Sequence, residues 1–242
     1  MPTQDHYNTH LAHIYSWMMG DFEARVDEFG EFLRLHGIVP GVPGALAIDL
    51  GAGHGIQSVA LARAGFSVVA VDCNAQLLQE IEENSRGYAV EIIDGDMRQV
   101  RAFAEREPEL IACCGDTLSH LDSMDDVRQF VSDCAQTLAQ GGLLLLSFRD
   151  YSHALTGDER FIPVKSDDAR ILTCILDYGD DTVRVTDLLH EKSAAGWTQK
   201  VSSYHKVRLR TERVIASIEE QGMTVRVHHV VKRMVHLVAV KS

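Results

Sequence analysis

The chain is short of positive charge, paired cysteines, proline and long apolar runs, and each shortage excludes something. Its 242 residues carry 23 Lys and Arg against 35 Asp and Glu, a formal net charge of −12. A field of that sign repels phosphate polyanions and anionic lipid, so no nucleic acid and no membrane is expected as a partner. The longest apolar runs, such as Gly142 to Phe148, are too short to cross a bilayer, and the start Met1-Pro2-Thr3-Gln4-Asp5-His6 has no apolar signal core, so a cytoplasmic protein is expected. Five cysteines, Cys73, Cys113, Cys114, Cys134 and Cys174, form an odd set without a C-x-x-C pair, which suggests reduced thiols and neither a disulfide framework nor a zinc knuckle. His6, His10 and His13 have the one-face spacing of a helix that could hold metal, but a solvated helix face is the expected reading, with no metal. With 5 prolines, 18 glycines and 45% hydrophobic residues, the composition is neither collagen-like nor low-complexity and suits one globular domain with insertions.

What is present is periodic. From Tyr7 to Leu35 the residues Leu11, Ile14, Tyr15, Met18, Phe22, Val26, Phe29 and Leu33 recur at helical spacing, with a break at Gly20-Asp21. After the stop at His36-Gly37 and the loop Pro40 to Gly44, short runs that are apolar on both faces alternate with helices. The runs are Ala45 to Leu50, Ser67 to Val71, Ala89 to Ile93, Leu110 to Cys114 and Leu143 to Phe148; the helices lie at Ile56 to Ala64, Ala75 to Asn84, Val100 to Glu105 and Met124 to Leu138. This is the pattern of a parallel sheet covered on both sides.

Past Phe148 the segments Ile171 to Leu176, Thr182 to His190 and Gln199 to Leu209 read as antiparallel strands. A helix from Thr211 to Gln221 follows, with Thr211 as N-cap candidate. Strands Thr224 to His229 and Met234 to Val240 are too close for a crossover and must form an antiparallel hairpin. The expected fold class is α/β: a doubly wound, mostly parallel seven-stranded sheet with a C-terminal antiparallel hairpin. Residues 41–149 and 210–242 would form its core, residues 1–40 an N-terminal helical segment, and residues 150–209 an antiparallel strand insertion after strand five, all in a single domain 1–242.

The first strand enters Asp49-Leu50-Gly51-Ala52-Gly53-His54-Gly55 and then a helix, and glycines at such a turn let backbone approach a ligand closely. The second strand ends in Asp72, 19 residues beyond Gly53, where a carboxylate can accept from both hydroxyls of an unphosphorylated ribose. After the third strand, Asp94-Gly95-Asp96-Met97 offers Asp96 to an exocyclic adenine amine and Met97 to the ring, with helix capping as the alternative for Asp96.

With these elements, and with Cys113-Cys114-Gly115-Asp116 after strand four, Gly141-Gly142 before strand five and the closing hairpin, the chain resembles the class I S-adenosylmethionine-dependent methyltransferases, the seven-stranded Rossmann-like family. The resemblance covers nearly the whole length. It implies S-adenosylmethionine as cofactor, S-adenosylhomocysteine as product and a small-molecule acceptor. It places the methionine part of the cofactor at Gly51 and Gly53, with Asp49 and Ala52 beside them, ribose at Asp72 with Cys73 adjacent, adenine at Asp96 and Met97, and the methyl group near Cys114, Gly115 and Thr117.

It also implies that residues 1–40 form a lid over the cofactor, with Tyr15 as its contact, Tyr7 towards the acceptor and Trp17 packed in the core. Methyl transfer from a sulfonium is an in-line displacement that needs positioning first and a base only if the acceptor is protonated. His120 is the candidate base, oriented by Asp116, and Arg149 and Tyr151 after strand five are candidates for binding the acceptor. Trp197, Tyr204 and His205 on the insertion either roof the pocket or form a homodimer surface. Two other readings stay open: an NAD-dependent oxidoreductase, disfavoured because Ile56 stands at the sixth position of G-x-G-x-x-G, and a non-catalytic cofactor-binding protein of the same fold.

Overall fold

The structure is a computed structural model that describes residues 3–104, 106–231 and 233–242. Met1 and Pro2 of the expected lid and Glu105 at the end of the expected helix from Val100 lie outside the described residues.

The apolar runs become strands β1 (Leu46–Leu50), β2 (Ser67–Asp72), β3 (Val90–Asp94), β4 (Leu110–Cys113) and β5 (Leu143–Arg149). The hairpin becomes β10 (Met223–Val231) and β11 (Met234–Lys241). They form one seven-stranded sheet in the order β10-β11-β5-β4-β1-β2-β3. β1 to β5 are parallel and β11 runs antiparallel to both β5 and β10. The strand order reverses between β1 and β4, so their carboxyl ends open the crevice in which such sheets bind ligands. Helices α4 (Ile56–Arg63), α5 (Ala75–Asn84), α6 (Met124–Thr137) and α7 (Thr211–Glu219) complete the layers. Alternate residues of each central strand feed opposite faces: Ile48, Leu50, Ile111, Leu146 and Phe148 join one core, and Ala47, Leu110, Ala112 and Leu145 the other. Burying each large apolar side chain contributes about 1.5–3 kcal/mol.

The insertion is a second, four-stranded antiparallel sheet, β6 (Phe161–Ser166), β7 (Arg170–Tyr178), β8 (Thr182–Ser193) and β9 (Gly196–Val207), paired in that order. β6 escapes the sequence reading because Pro163 interrupts it; as an edge strand it tolerates the missing donor.

Three local expectations need correction. Residues 97–103 form a 3₁₀ helix, kinked at Gln99, instead of an α-helix over 100–105. Thr211 is the first residue of α7 and not its cap: its amide donates to Asp150 Oδ2 at 3.1 Å and its hydroxyl donates to the same oxygen, so a distant carboxylate caps the helix. The histidine face is not solvated, for His6 and His10 are 0% and 4% exposed and only His13 of the three faces water.

The N-terminal run consists of α1 (Thr3–His6), a π-helical turn (Tyr7–Leu11), α2 (Ala12–Met19) and α3 (Phe22–Leu35). It breaks where expected. Gly20 adopts φ 90°, ψ −146°, close to the region that only glycine occupies without strain, and Asp21 then caps α3 by accepting from Ala24 N at 2.8 Å. A Cβ at Gly20 would meet nothing nearer than Lys165 Nζ at 3.6 Å, so the cost of substitution there is conformational. Gly20→Ala is therefore expected to destabilise the fold by about 1–3 kcal/mol, read as a lower urea midpoint at an unchanged slope.

Candidate active site

The turn after β1 is built on left-handed glycines. Gly51 and Gly53 have φ of 70° and 60°, and the amides of Gly51 and Ala52 both donate to Val71 O, at 2.8 and 3.0 Å. A Cβ on Gly51 would lie 2.2 Å from Thr117 Cγ2, and one on Gly53 would lie 2.9 Å from the Tyr15 hydroxyl. The glycine turn, the segment after β4 and the N-terminal helix thus converge within contact distance, which sequence spacing alone left open. Tyr15 lies against the turn with its ring edge-on to buried His54.

Asp72 ends β2 facing this turn. Its Oδ2 accepts from Gly53 N at 2.8 Å and its Oδ1 from Asn74 N at 3.0 Å. Burial pushes its carboxyl up, while the amides of Asn74, Gly53 and Cys73 pull it back. A carboxylate offers about four lone-pair sites, so acceptor capacity for ribose hydroxyls remains after those bonds. Asp49, at the end of β1, lies deeper, 1% exposed, and accepts from Ser58 Oγ at 2.6 Å. Burial pushes its carboxyl up to about 7, against the pull of Ser58. Cys73 is exposed on the far side of Asp72.

Asp96 is engaged as a cap: it accepts from Arg98 N at 2.9 Å and takes the Arg98 guanidinium on both oxygens, which holds its carboxyl below the usual range. The structure therefore realises the capping reading of Asp96, while Met97 packs against the main core.

After β4, Cys114 is buried and its carbonyl accepts from Thr117 Oγ1 at 2.7 Å. Gly115 N donates to Ser147 Oγ at 2.9 Å. Asp116 follows with φ 75°, a conformation uncommon outside glycine but tolerated by Asp. It is 4% exposed and holds three donors: Arg149 N at 2.8 Å, the Tyr151 hydroxyl at 3.0 Å and Lys206 Nζ at 2.5 Å. Burial pushes its carboxyl up, but Lys206 and the Arg149 amide outweigh that and hold it below the ordinary value.

Of the two residues expected to meet the acceptor after β5, Tyr151 is brought into this cluster, and burial followed by Asp116 pushes its hydroxyl up. Arg149 contributes its backbone amide while its side chain is exposed.

His120 closes a 3₁₀ turn over residues 117–120. Its Nε2 lies 3.4 Å from the Tyr7 hydroxyl and its ring stacks on Tyr204 at 5.7 Å. Its Nδ1 is buried with no hydrogen-bond partner among the described residues. Burial, then the Lys206 charge, push the imidazole down to about 3 against the pull of Asp116. Such a ring is neutral at pH 7: it can accept or donate a hydrogen bond, but it holds no extra proton, and Asp116 gives it no orienting hydrogen bond.

Tyr7 sits in the π-helical turn, a feature frequent at functional sites. Burial, then Tyr15, Asp72, Asp116 and Asp187, raise its hydroxyl well above its ordinary value. One residue earlier, His6 stacks on Tyr204 at 4.2 Å and hydrogen-bonds Asp187 Oδ2 at 3.1 Å and Ser202 Oγ at 2.7 Å. The other side of the N-terminal segment is tied to α5: Asn74 Nδ2 donates to Asn8 Oδ1 at 2.8 Å and Gln76 Nε2 to Ala12 O at 3.1 Å. Trp17 is half-buried and packs against the cluster of Leu11, Ile14, Leu172 and Leu189, while its indole N–H donates to Asp167 at 2.5 Å and Lys165 and Arg170 lie over its ring. On β9, Tyr204 faces this centre and is buried, whereas Trp197 and His205 are exposed.

Lys206, His6 and Asp187 are the site residues that sequence reasoning missed. The one available signal was the alternation Ser202, Tyr204, Lys206 along β9, which puts all three on one face. Among the described residues no group of three or more His, Cys, Asp or Glu is placed to hold a metal ion, and no helix is long and apolar enough to cross a membrane.

Comparison with known proteins bears on the same region. Residues 47–142 match the family model described as a methyltransferase domain. The chain is 28% identical over 166 residues to a glycine/sarcosine N-methyltransferase of Aphanothece halophytica, covering 65% of this chain and 60% of that one. It is 26% identical over 167 residues to a glycine N-methyltransferase of Oryctolagus cuniculus, covering 60% and 54%. The matched stretch thus spans somewhat more than half the length of these relatives.

Among solved structures, an S-adenosylmethionine-dependent methyltransferase from Clostridium acetobutylicum superposes with a TM-score of 0.74 at 18% identity, over 95% of this chain and 96% of that one. An S-adenosylmethionine-bound amino pentose methyltransferase from Micromonospora echinaspora superposes with a TM-score of 0.73 at 16% identity, over 92% of each. The chain has the Rossmann-like α/β fold of the S-adenosylmethionine-dependent methyltransferases, as its resemblance implied.

Proposed function

We propose that the chain transfers a methyl group from S-adenosylmethionine to the nitrogen of a small-molecule amine. The observation that carries this reading is the convergence of the Gly51 to Gly53 turn, Asp72, Tyr15 and Thr117 at the carboxyl edge of the sheet, beside a second centre built from Tyr7, His120, Tyr204 and Asp116. The residues fit the cofactor: the left-handed glycines bring Thr117 and Tyr15 within contact distance of the turn, and Asp72 beside it keeps acceptor capacity for a ribose. The cofactor supplies a methyl on an already activated sulfonium, so that the amine lone pair forms the N–C bond as the C–S pair returns to sulfur.

The protein's own contribution is binding, positioning and exclusion of water. Asp72 would hold the ribose, and Tyr15 would cover the Gly53 side. The choice of nitrogen rests on His120 Nδ1, a buried atom without a hydrogen-bond partner among the described residues, which suits a reacting group that keeps an N–H while its lone pair attacks. An ammonium must lose its proton before it can attack. His120 is suited to receive a hydrogen bond from the remaining N–H at Nδ1 and so to aim the lone pair, while the released proton passes to water. The names of the relatives, a glycine/sarcosine N-methyltransferase and a glycine N-methyltransferase, are consistent with an amine acceptor.

Calorimetry tests the reading. S-adenosylmethionine and S-adenosylhomocysteine are expected to bind and NAD is not; binding of NAD alone would overturn it. In the same measurement Asp72→Ala is expected to weaken S-adenosylmethionine by roughly tenfold to a hundredfold, the loss of hydrogen bonds to a charged acceptor worth about 1.5–3 kcal/mol.

A further inference from the structure

We propose that Lys206 holds the carboxylate of the acceptor, so that the amine methylated here is an amino acid and not a simple amine or an amino sugar; this rests on the methyltransferase reading above. Lys206 lies on the inward face of β9, two residues beyond Tyr204, and is 8% exposed. An ammonium offers three N–H donors. Among the described residues its one hydrogen-bond acceptor is Asp116 Oδ2. Asp116, in contrast, has both oxygens engaged by three donors, the Arg149 amide on Oδ1 and the Tyr151 hydroxyl and Lys206 on Oδ2. The pair is therefore unequal: the carboxylate has both oxygens engaged and the buried cation has donors to spare. Buried donors without acceptors are costly, so a ligand that brings acceptor oxygens is favoured at this point.

The position suits the same small molecule that His120 and Tyr7 would orient. Lys206 Nζ stands 5.8 Å from the centre of the Tyr204 ring, and His120 stacks on that ring at 5.7 Å. His120 Nδ1 is the neighbouring unpartnered buried atom. An amine end and an anionic end are thus provided around one aromatic side chain. The charge balance points the same way. Asp72, Asp116 and Asp187 bear on Tyr7, and Lys206 supplies the opposing positive charge. A zwitterion adds no net charge, its amine end facing His120 and its carboxylate the lysine. A phosphate ester would add negative charge to a centre already rich in carboxylates.

The test pairs each standard amino acid, and sarcosine, with the amine left by removing its carboxylate, and measures methyl transfer from S-adenosylmethionine by the wild-type chain. At least one amino acid is expected to exceed its decarboxylated partner by roughly tenfold or more in kcat/KM, as one charge-assisted hydrogen bond would supply. Lys206→Met should erase that preference mainly through a higher KM, and Lys206→Arg should retain part of it. Calorimetric binding of S-adenosylmethionine to each variant establishes that it is folded, and the paired panel on the wild type decides the matter even where a variant is not. Equal kcat/KM within the pairs, a preference for decarboxylated amines or amino sugars, or a preference that survives in folded Lys206→Met would overturn the inference. Binding of S-adenosylmethionine with transfer to no amino acid overturns it alone, whereas failure to bind S-adenosylmethionine overturns the methyltransferase reading as well.

Discussion

Asp116→Ala is expected to lower the stability of the chain by about 3–5 kcal/mol, because it leaves the Lys206 ammonium buried without its partner. The Arg149 amide and the Tyr151 hydroxyl lose their acceptor in the same change, so the value should fall in the upper part of that range. The double variant Asp116→Ala/Lys206→Met removes the orphaned charge along with the carboxylate and should recover a large part of the loss. Urea unfolding of the two single variants and the double variant completes the cycle. Additive losses would show that the two side chains do not support each other.

The second large effect concerns pH. Asp49 in the folded chain is pushed up to about 7 by burial, while in the unfolded chain it returns to its ordinary value near 4. A carboxyl raised on folding contributes stability that is fully present below the unfolded value and is lost as pH rises through the folded one. Between about pH 4 and pH 8 the wild-type chain should therefore lose on the order of 4 kcal/mol through this group. Asp49→Asn keeps an oxygen to accept the Ser58 hydroxyl and has no proton to lose, so its stability should be flatter across that window. Urea midpoints of both proteins from pH 4 to pH 8 make the comparison; an equal slope in the two would remove Asp49 as its source.

These two residues mark the boundary of what could be read in advance. Asp49, Gly51, Gly53 and Asp72 lie in two strand ends whose apolar runs announce themselves, and the pairing of β1 with β2 carries one end to the other. Local pattern and general sheet geometry suffice there. Lys206 is different. Its partner lies 90 residues away, and a lysine in an alternating strand ordinarily faces water, so nothing local marks it as buried. His6 and Asp187 are 181 residues apart and meet because the N-terminal segment folds onto the inserted sheet. Both sheets are visible as separate patterns, but how one element lies across another depends on packing that no single stretch encodes. Asp96 and Thr211 show a related limit, since each has two hydrogen-bonding uses: Asp96 takes the capping one of its two stated readings, and Thr211 receives a cap from Asp150 instead of supplying one.

The N-terminal run has one more consequence. Tyr15 rests against the Gly53 turn while His6 is clasped by Tyr204, Asp187 and Ser202, and both belong to one continuous helical stretch that ends at Gly20. A ligand seated at the glycine turn would meet Tyr15 on the same helical stretch that His6 fastens to the inserted sheet. Under the proposed function, contacts on the cofactor side and on the acceptor side would thus be coupled through one rigid element instead of forming independently.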